Sequence, residues 1–499
     1  MARHDGIIKV LSGERFTPFA LANKLGAAVI LESASFDRGR ERYSLLMVQE
    51  AFRVLETPAG IVMERDGRRL RLSSRARDTL DVLRYFAEQH QLPQQDFPFP
   101  AGGIGFLSYE FASRCDTIRF ADKPDPLDLP LAAFMFGHVF VIFDHFTDLL
   151  YLIGINYNEH EIDLTSAVGA VEERINDLNF NYLQPDERAY PARMQSPERD
   201  SERFLRGVAS LRDEIIKGNL LQGVLSRRLT VETELPALEA YRRLRTANPS
   251  PYLFYLDFGR YQLFGSSPEV HVRAKHDEVT MRPIAGTRRR GGDREQDHAL
   301  EAELLDDPKE RAEHLMLVDL ARNDIGRVCT PGSVAVKEFM TVERYSHVMH
   351  IVSEATGTLA AGKSGVDAVR ATFPAGTVSG APKIRAIETI DRLEPYPRRF
   401  YAGLVGYLEP GGNLDTCITI RSALKLDGRL VLQAGAGVVY DSTPERELEE
   451  TGEKLGALAR AAGVSLDGRP EDADQNGNGS DSKQTVGDRP GQAAETRSL

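Results

Sequence analysis

The sequence has no tryptophan, few cysteines and no long uninterrupted apolar run. Its 499 residues include no Trp, where several would be ordinary; composition drift, or synthesis when tryptophan is scarce, would explain this. The three cysteines, Cys115, Cys329 and Cys417, lack metal or redox spacing, so we expect reduced thiols in a cytoplasmic protein. No apolar run could span a bilayer, and we expect neither a membrane segment nor a signal peptide.

Basic residues are outnumbered by acidic ones, 62 Lys and Arg against 74 Asp and Glu. The formal net charge of −12 argues against a surface that binds nucleic acid or an anionic membrane. Hydrophobic content of 41% and charged content of 27% are typical of a globular protein. Strand-like and helix-like segments are mixed along the chain, which predicts an α/β (α+β) protein. A length of 499 residues predicts two intertwined subdomains rather than one.

Local patterns divide the chain into three regions. Residues 181–200 are polar and contain proline, which predicts a boundary between an N-terminal region, 1–190, and a second domain, 195–466. From residue 467 onward the composition is too polar to form a core, so 467–499 is predicted to be a disordered tail. Hydrophobic periodicity predicts strands at 52–56, 61–65, 134–146 and 149–155, and helices at 78–90 and from Phe204 to Gly218.

An acidic pair opens the most informative stretch. Asp306 or Asp307 can cap a helix whose first residue is Pro308. Glu310 and Glu313 then lie one turn apart on the same face. Mg²⁺ is often held by only one or two protein carboxylates, so this pair suits it. A solvated acidic face is the alternative interpretation.

A second acidic pair follows a glycine-rich segment, Gly435-Ala436-Gly437. A capping hydroxyl and Pro444 predict another helix start, and Glu447 and Glu450 again lie one turn apart. Two helices with matching acidic faces could hold one Mg²⁺ between them.

An ordered set of motifs identifies a resemblance. The set comprises Pro-Ile-Ala-Gly-Thr at 283–287, the run 313–324, Arg-Tyr-Ser-His-Val-Met-His at 344–350, Gly-Thr-Val-Ser-Gly-Ala-Pro-Lys at 376–383 and Gly-Ala-Gly at 435–437. The sequence resembles the chorismate-utilising enzymes, most closely the large subunits of anthranilate synthase. This resemblance implies a fold of two intertwined subdomains of β-sheets flanked by helices.

The resemblance also assigns catalytic and metal-binding roles. Glu313 and Glu450 match direct Mg²⁺ ligands, and Glu310 and Glu447 would act through water. Glu269 matches the general acid that protonates the C4 hydroxyl of chorismate as it leaves, and His350 matches the residue tied to the later loss of pyruvate. Further matches are Gln222, which would orient ammonia, and Thr377, which would contact the chorismate ring. By pattern alone, Glu269 reads as a loop-exposed carboxylate and His350 as a core histidine.

The substrate-binding matches surround one arginine. Arg421 would bind the enolpyruvyl carboxylate of chorismate through its guanidinium fork. The other matches are Gly286, Thr287, Tyr401, Gly435, Ala436 and Gly437. A surface ion pair for Arg421 and a buried glycine-rich turn at 435–437 are the alternative interpretations.

Two positions indicate which reaction is catalysed. Relatives that use water carry a lysine base where this chain has Gln222, and aminodeoxychorismate synthases carry a lysine where it has Ala285. The resemblance therefore implies a lyase that converts chorismate and ammonia to anthranilate and pyruvate, the first step of tryptophan biosynthesis. The alternatives are a 2-amino-2-deoxyisochorismate synthase, a tryptophan-insensitive enzyme of a secondary pathway, and a catalytically silent paralogue.

A partner and an inhibitor are also implied. The chain has no glutamine amidotransferase stretch, so a separate small subunit (component II) would supply ammonia, within a heterotetramer. Ser33, at the end of a Leu-Glu-Ser motif, and the segment Pro251, Tyr252 and Leu253 match contacts for the feedback inhibitor L-tryptophan. The alternative is that these residues only end one core strand and begin another.

Overall fold

The computed structural model describes residues 6–34, 42–72, 76–94, 97–177, 188–195, 197–344 and 348–466. The predicted tail, 467–499, and positions 345–347 of one motif lie outside these residues. No helix within these ranges is long and apolar enough to cross a membrane.

Eleven α-helices lie in the described ranges. They are α1 (Pro18–Leu25), α2 (Thr79–Ala87), α3 (Ala112–Cys115), α4 (Leu164–Asn176), α5 (Pro197–Ile216), α6 (Ala237–Ala247), α7 (Arg294–Asp306), α8 (Pro308–Gly326), α9 (Gly365–Thr372), α10 (Lys383–Leu393) and α11 (Pro444–Ala461).

The described residues also form 22 strands. They are β1 (Ile7–Ser12), β2 (Val29–Glu32), β3 (Tyr43–Thr57), β4 (Gly60–Arg65), β5 (Arg68–Arg71), β6 (Ile104–Leu107), β7 (Ala132–Asp144), β8 (Leu149–Gly154), β9 (Ala192–Gln195), β10 (Gln222–Thr233), β11 (Tyr252–Asp257), β12 (Tyr261–Ser267), β13 (Val270–Lys275), β14 (Glu278–Met281), β15 (Ile284–Arg289), β16 (Ala335–Arg344), β17 (Val348–Thr358), β18 (Gly380–Ala381), β19 (Leu404–Leu408), β20 (Leu414–Ile418), β21 (Ser422–Leu426) and β22 (Arg429–Val438).

The strands pair in an antiparallel sense and form two halves joined by strands from the N-terminal region. One half runs in the order β10–β22–β21–β12–β11–β2. The other half runs β6–β19–β20–β13–β14–β17. Strands β3 and β7 connect β2 to β6, so the N-terminal strands are integral to both halves. The predicted α/β fold class is confirmed.

Two apolar cores fill this arrangement. The larger core packs α2 and α9 against strands of the N-terminal region and the second half, with Phe52, Phe86 and Phe136 among its buried rings. The second core packs α1, α4, α6 and α11 against the first half, and includes Tyr241 and Leu455. Helix α11 is therefore anchored by its apolar face, which leaves its acidic face for the site.

Both predicted acidic helices are present, although only one is capped as predicted. Asp307 accepts hydrogen bonds from the amides of Lys309 and Glu310 at 2.9 and 3.3 Å, and Pro308 begins α8. The predicted hydroxyl cap of α11 is wrong. Thr443 makes no side-chain cap bond, and the Ser442 hydroxyl instead accepts from the amide of Val439 at 3.0 Å. The Ser442 hydroxyl therefore stabilises the turn at 439–442 instead of capping α11.

Candidate active site

The acidic faces of α8 and α11 meet. Burial raises the pKa of Glu313, and the nearby carboxylates of Glu310 and Glu450 raise it further. Burial likewise raises the pKa of Glu447, and Glu450 adds to that shift. The structure thus brings together all four glutamates that the sequence singled out, each pair supplied by one helix.

Two basic side chains contact this acidic cluster. Arg288 of β15 lies 3.2 Å from Glu310 and 2.8 Å from the capping Asp307. Lys454 donates to Glu450 at 2.6 Å and to the Gly435 carbonyl at 2.9 Å. Neither residue is among those predicted from the sequence. The spacing of Glu450 and Lys454, four residues apart on one helix, could have indicated their ion pair.

The acidic cluster has the chemistry that Mg²⁺ prefers. Its donors are all carboxylate oxygens, and Glu447 Oε2 is buried without a hydrogen-bond partner among the described residues. Among the described residues, no group of three or more His, Cys, Asp or Glu side chains is arranged to hold a metal. Mg²⁺ is compatible with that finding because it takes one or two protein carboxylates and completes its shell with water and substrate. The residues present therefore fit a Mg²⁺ ion.

Glu269 is a buried acid between β12 and β13. The expectation from pattern alone, a loop-exposed carboxylate, is wrong, because the residue is only 8% exposed. Burial raises its pKa to about 7, while Thr377, Arg421 and Lys454 act in the opposite direction. A carboxyl group with this pKa keeps its proton in a large fraction of molecules at neutral pH. It can therefore serve as a general acid.

His350 is held as a neutral imidazole. Its Nδ1 lies 2.9 Å from the Gly286 carbonyl oxygen and 3.1 Å from the Thr287 hydroxyl. A carbonyl only accepts, so Nδ1 carries the proton and Nε2 is the acceptor nitrogen. Burial lowers the pKa of His350 to about 4, and the positive charge of Arg421 lowers it further.

Gln222 begins β10 and faces the metal candidates. Its amide donates to Glu313 at 3.4 Å. A Cβ atom added to Gly437 on the paired strand β22 would lie 2.9 Å from this amide nitrogen, so the glycine leaves the space that the Gln222 side chain occupies. Val224 pairs with Gly437, and Leu225 pairs with the buried Ala436.

Tyr401 and Arg421 complete the predicted set. Burial raises the pKa of Tyr401 to about 12, although the Gly435 amide and nearby cations oppose the shift. Burial lowers the pKa of Arg421, and Tyr401, Glu450 and Glu269 counter that effect, which places the guanidinium among these three groups. In the described part of the chain the Arg421 guanidinium has neither an ion pair nor a hydrogen bond. It is therefore able to receive a carboxylate.

The four inhibitor candidates also lie together. Glu32 of β2 pairs with Leu253 of β11, and the amide of Ala34 donates to Ser250 at 3.0 Å. Ser33 is buried, and its hydroxyl has no hydrogen-bond partner among the described residues. Glu32 is already engaged by the Tyr241 hydroxyl at 2.7 Å and by Arg245 at 2.9 Å. The ammonium group of a bound tryptophan would therefore have to compete with Arg245 for Glu32 or donate hydrogen bonds to backbone carbonyls.

Cavity size does not single out this site. A small cavity of about 20 Å³ lies against Glu269 and Thr377. A larger one, of about 240 Å³, lies between β10 and the end of α10, where Arg227 and Arg228 line it. The chemistry of the side chains, rather than the volume, identifies the candidate active site.

The chain and its fold have counterparts among known proteins. A family model described as chorismate binding enzyme matches residues 45–460. The chain therefore belongs to the family of chorismate binding enzymes, and the resemblance drawn from the motifs is confirmed.

Individual relatives within this family narrow the comparison. The chain is 61% identical over 464 residues to anthranilate synthase component 1 of Spirochaeta aurantia, a match that covers 93% of this chain and 96% of that protein. It is 38% identical over 479 residues to anthranilate synthase component 1 of Acetivibrio thermocellus, covering 92% of this chain and 96% of that protein.

Solved structures agree with the sequence comparison. The crystal structure of anthranilate synthase component I from Streptococcus pneumoniae matches with a TM-score of 0.75 and 36% identity, covering 84% of this chain and 92% of that chain. The menaquinone-specific isochorismate synthase from Escherichia coli matches with a TM-score of 0.68 over 92% of this chain and 95% of that chain. At 20% identity, that second likeness shows the fold alone.

Proposed function

We propose that the protein is the large subunit of a cytoplasmic, Mg²⁺-dependent anthranilate synthase. It converts chorismate and ammonia to anthranilate, pyruvate and water, the first step of tryptophan biosynthesis. The observation that carries this proposal is the buried acid Glu269, which lies close to the cations Arg421 and Lys454. High identity to component 1 relatives over nearly the whole chain supports the same assignment.

Binding requires that an anion be held beside four glutamates. Chorismate has two carboxylates, and the Arg421 guanidinium is suited to receive the one on the enolpyruvyl group. Glu313 and Glu450 would hold Mg²⁺ directly, with Glu310 and Glu447 acting through water. When bound, Mg²⁺ supplies positive charge that holds the ring carboxylate and offsets its repulsion from the glutamates.

The first chemical step replaces the C4 hydroxyl. Ammonia forms a bond to C2, both ring double bonds shift by one position, and the C4–O bond breaks. Glu269 donates its proton to the departing oxygen, which leaves as water instead of the poor leaving group hydroxide. The new ammonium group at C2 then releases a proton, so the Glu269 carboxyl is restored and the charges balance.

The second step makes the ring aromatic. The proton on C2 is removed and the C3–O bond breaks, so the enolpyruvyl group leaves as enolpyruvate and takes up a proton to become pyruvate. The neutral His350 presents Nε2 as an acceptor, and we assign it to this step.

Two positions favour ammonia over other nucleophiles. An amide cannot deprotonate water at pH 7, but Gln222 can orient ammonia through its oxygen. Ala285 pairs with Ile351 on β17 and offers no amine for a covalent intermediate. We further propose that a glutamine amidotransferase small subunit supplies the ammonia within a heterotetramer. L-tryptophan would inhibit by binding at the contact between β2 and β11.

A single assay tests the reaction. The purified full chain is given chorismate, MgCl₂ and an ammonium salt, anthranilate is followed by fluorescence, and pyruvate by a coupled lactate dehydrogenase. We expect equal amounts of the two products. Accumulation of 2-amino-2-deoxyisochorismate without pyruvate would contradict the proposal, as would formation of isochorismate from water.

A further inference from the structure

Arg398 is a buried arginine behind the candidate active site. It lies in the connection between α10 and β19 and is only 2% exposed. Its Nε and Nη2 donate to the two Glu394 oxygens at 2.9 and 2.8 Å. Nη1 also donates to the Val378 carbonyl at 2.7 Å, and Nη2 to the Val224 carbonyl at 2.5 Å.

Both carbonyls belong to segments that carry predicted catalytic residues. Val378 directly follows Thr377, whose side chain lies beside Glu269. Val224 lies two residues after Gln222 on β10, and so on the same face of that strand. The Arg398 guanidinium also lies 5.6 Å from the centroid of the Tyr401 ring. One side chain thus contacts three separate elements of the site.

Arg398 is itself fixed by two carboxylates. Glu394 also accepts from the Ser226 amide at 2.8 Å and from the Ser226 hydroxyl at 2.7 Å, which ties it to β10. Glu110, from the N-terminal region, accepts from the amides of Arg398 and Arg399 at 2.8 and 3.2 Å. Arg399 has a φ angle of +56°, so Glu110 holds a turn that most side chains disfavour.

We propose that Arg398 is a positioning residue, which sets the spacing between the nucleophile-orienting Gln222, the Thr377 turn and the Tyr401 ring. This inference rests on the proposed function for the roles of those three residues. Its physical basis is the rigid planar fork of the guanidinium, which directs donors to the carboxylate and to both carbonyls at once. A lysine keeps the charge but cannot reproduce that geometry.

Kinetics of Arg398→Lys in the full chain test the proposal. We expect kcat with ammonia to fall by about 100-fold, because small displacements of reacting groups have effects of that size. The KM for ammonia should rise as Gln222 shifts. Arg370→Lys is the matched control, since Arg370 is a partly buried arginine that also pairs with carboxylates, those of Asp78, Asp81 and Asp367. It should lose similar thermal stability and keep wild-type kcat and KM.

Each outcome decides the proposal. Wild-type kcat and KM in folded Arg398→Lys would overturn it, and so would an equal loss of kcat in Arg370→Lys. If Arg398→Lys does not fold, Glu394→Gln replaces it, with an expected loss of about 10-fold in kcat. The wild-type assay tests the proposed function separately. If the wild type binds chorismate but does not convert it, the chorismate affinities of wild type and Arg398→Lys are compared by calorimetry instead. Equal affinities would then overturn the positioning role.

Discussion

Glu269 shows how one side chain acquires its chemistry from distant parts of the chain. The Thr377 turn, Arg421 and Lys454 surround it, yet each is more than 100 residues away in sequence. The local Ser-Pro-Glu pattern indicates only a loop, so its burial could not be predicted from neighbouring residues. Only the family resemblance pointed to its role as an acid.

Replacing Glu269 by glutamine should remove the proton donor while keeping the side-chain shape. We expect kcat for anthranilate formation to fall by about 10²–10⁴-fold, the usual contribution of general acid catalysis. The acid works only when protonated, so wild-type kcat/KM should be highest below pH 7 and fall as pH rises through the Glu269 pKa of about 7. The measurement is a pH profile for chorismate at constant free ammonia.

Glu409 offers a matched control for this prediction. It is another carboxylate whose pKa is raised by burial, and it accepts a bond from the Phe99 amide at 2.7 Å, away from the predicted substrate contacts. Glu409→Gln should keep the wild-type kcat and pH profile. A Glu269→Gln variant that retained the same descending limb near pH 7 would show that another group supplies the proton.

Helices α8 and α11 show what local sequence can predict. Their first residues, their prolines and their paired glutamates follow from spacing alone, since these features involve neighbours within one or two turns. The predicted strands at 134–146 and 149–155 also follow from local pattern, and they overlap β7 and β8, which pair across a short turn. The pairing of β2 with β11 and the contacts of Arg288 join distant segments, and no periodicity reveals such contacts.

The acidic faces of α8 and α11 lie against each other, which leads to a prediction about Mg²⁺ binding. In Glu313→Gln or Glu450→Gln we expect Mg²⁺ affinity to fall by at least about 10–100-fold and activity to be lost. Without metal, Glu313→Gln should be more stable than wild type at pH 7.5. Its carboxylate is partly buried and repelled by Glu310 and Glu450, so loss of the charge relieves both penalties. Thermal unfolding with and without MgCl₂ measures both effects.

Glu449→Gln is the control on the same helix. Glu449 is exposed and pairs with Arg446 on the outer side of α11. Its variant should show the wild-type increase in melting temperature on addition of MgCl₂. An equally large Mg²⁺-induced increase in Glu313→Gln and Glu450→Gln would reject these residues as ligands.

At the scale of the whole molecule, the source of ammonia is a separate question from the reaction. One family match covers residues 45–460, and the resemblance drawn from the motifs implies that a separate small subunit hydrolyses glutamine. We therefore expect the purified chain to form anthranilate from ammonium salts and none from glutamine. Comparable rates with glutamine and ammonium, in a preparation free of contaminating glutaminase, would contradict a separate small subunit.

The N-terminal strands also give a physical route from the proposed inhibitor site to the acid. Ser33 follows β2, which pairs with β11, and Tyr252 on β11 pairs with Ser267 on β12. Ser267 lies two residues before Glu269, and its hydroxyl accepts from the Glu269 amide at 3.4 Å. A ligand that shifts β2 against β11 would therefore move the backbone that presents the acid.

L-tryptophan should inhibit the chorismate reaction through this route, provided that it binds the less active arrangement more tightly. A coupling of about 1–3 kcal/mol would change apparent chorismate affinity by about 5–150-fold. Ser33→Ala removes a buried hydroxyl that has no partner among the described residues, so the variant should fold normally and need more tryptophan for inhibition. Ser33→Phe should need more still, because its ring fills the space.

Ser210→Ala, on the exposed side of α5, is the control and should be inhibited like the wild type. Titration of initial rates with tryptophan distinguishes these cases, and full wild-type activity at saturating tryptophan would indicate an insensitive enzyme in which residues 31–33 only end a core strand.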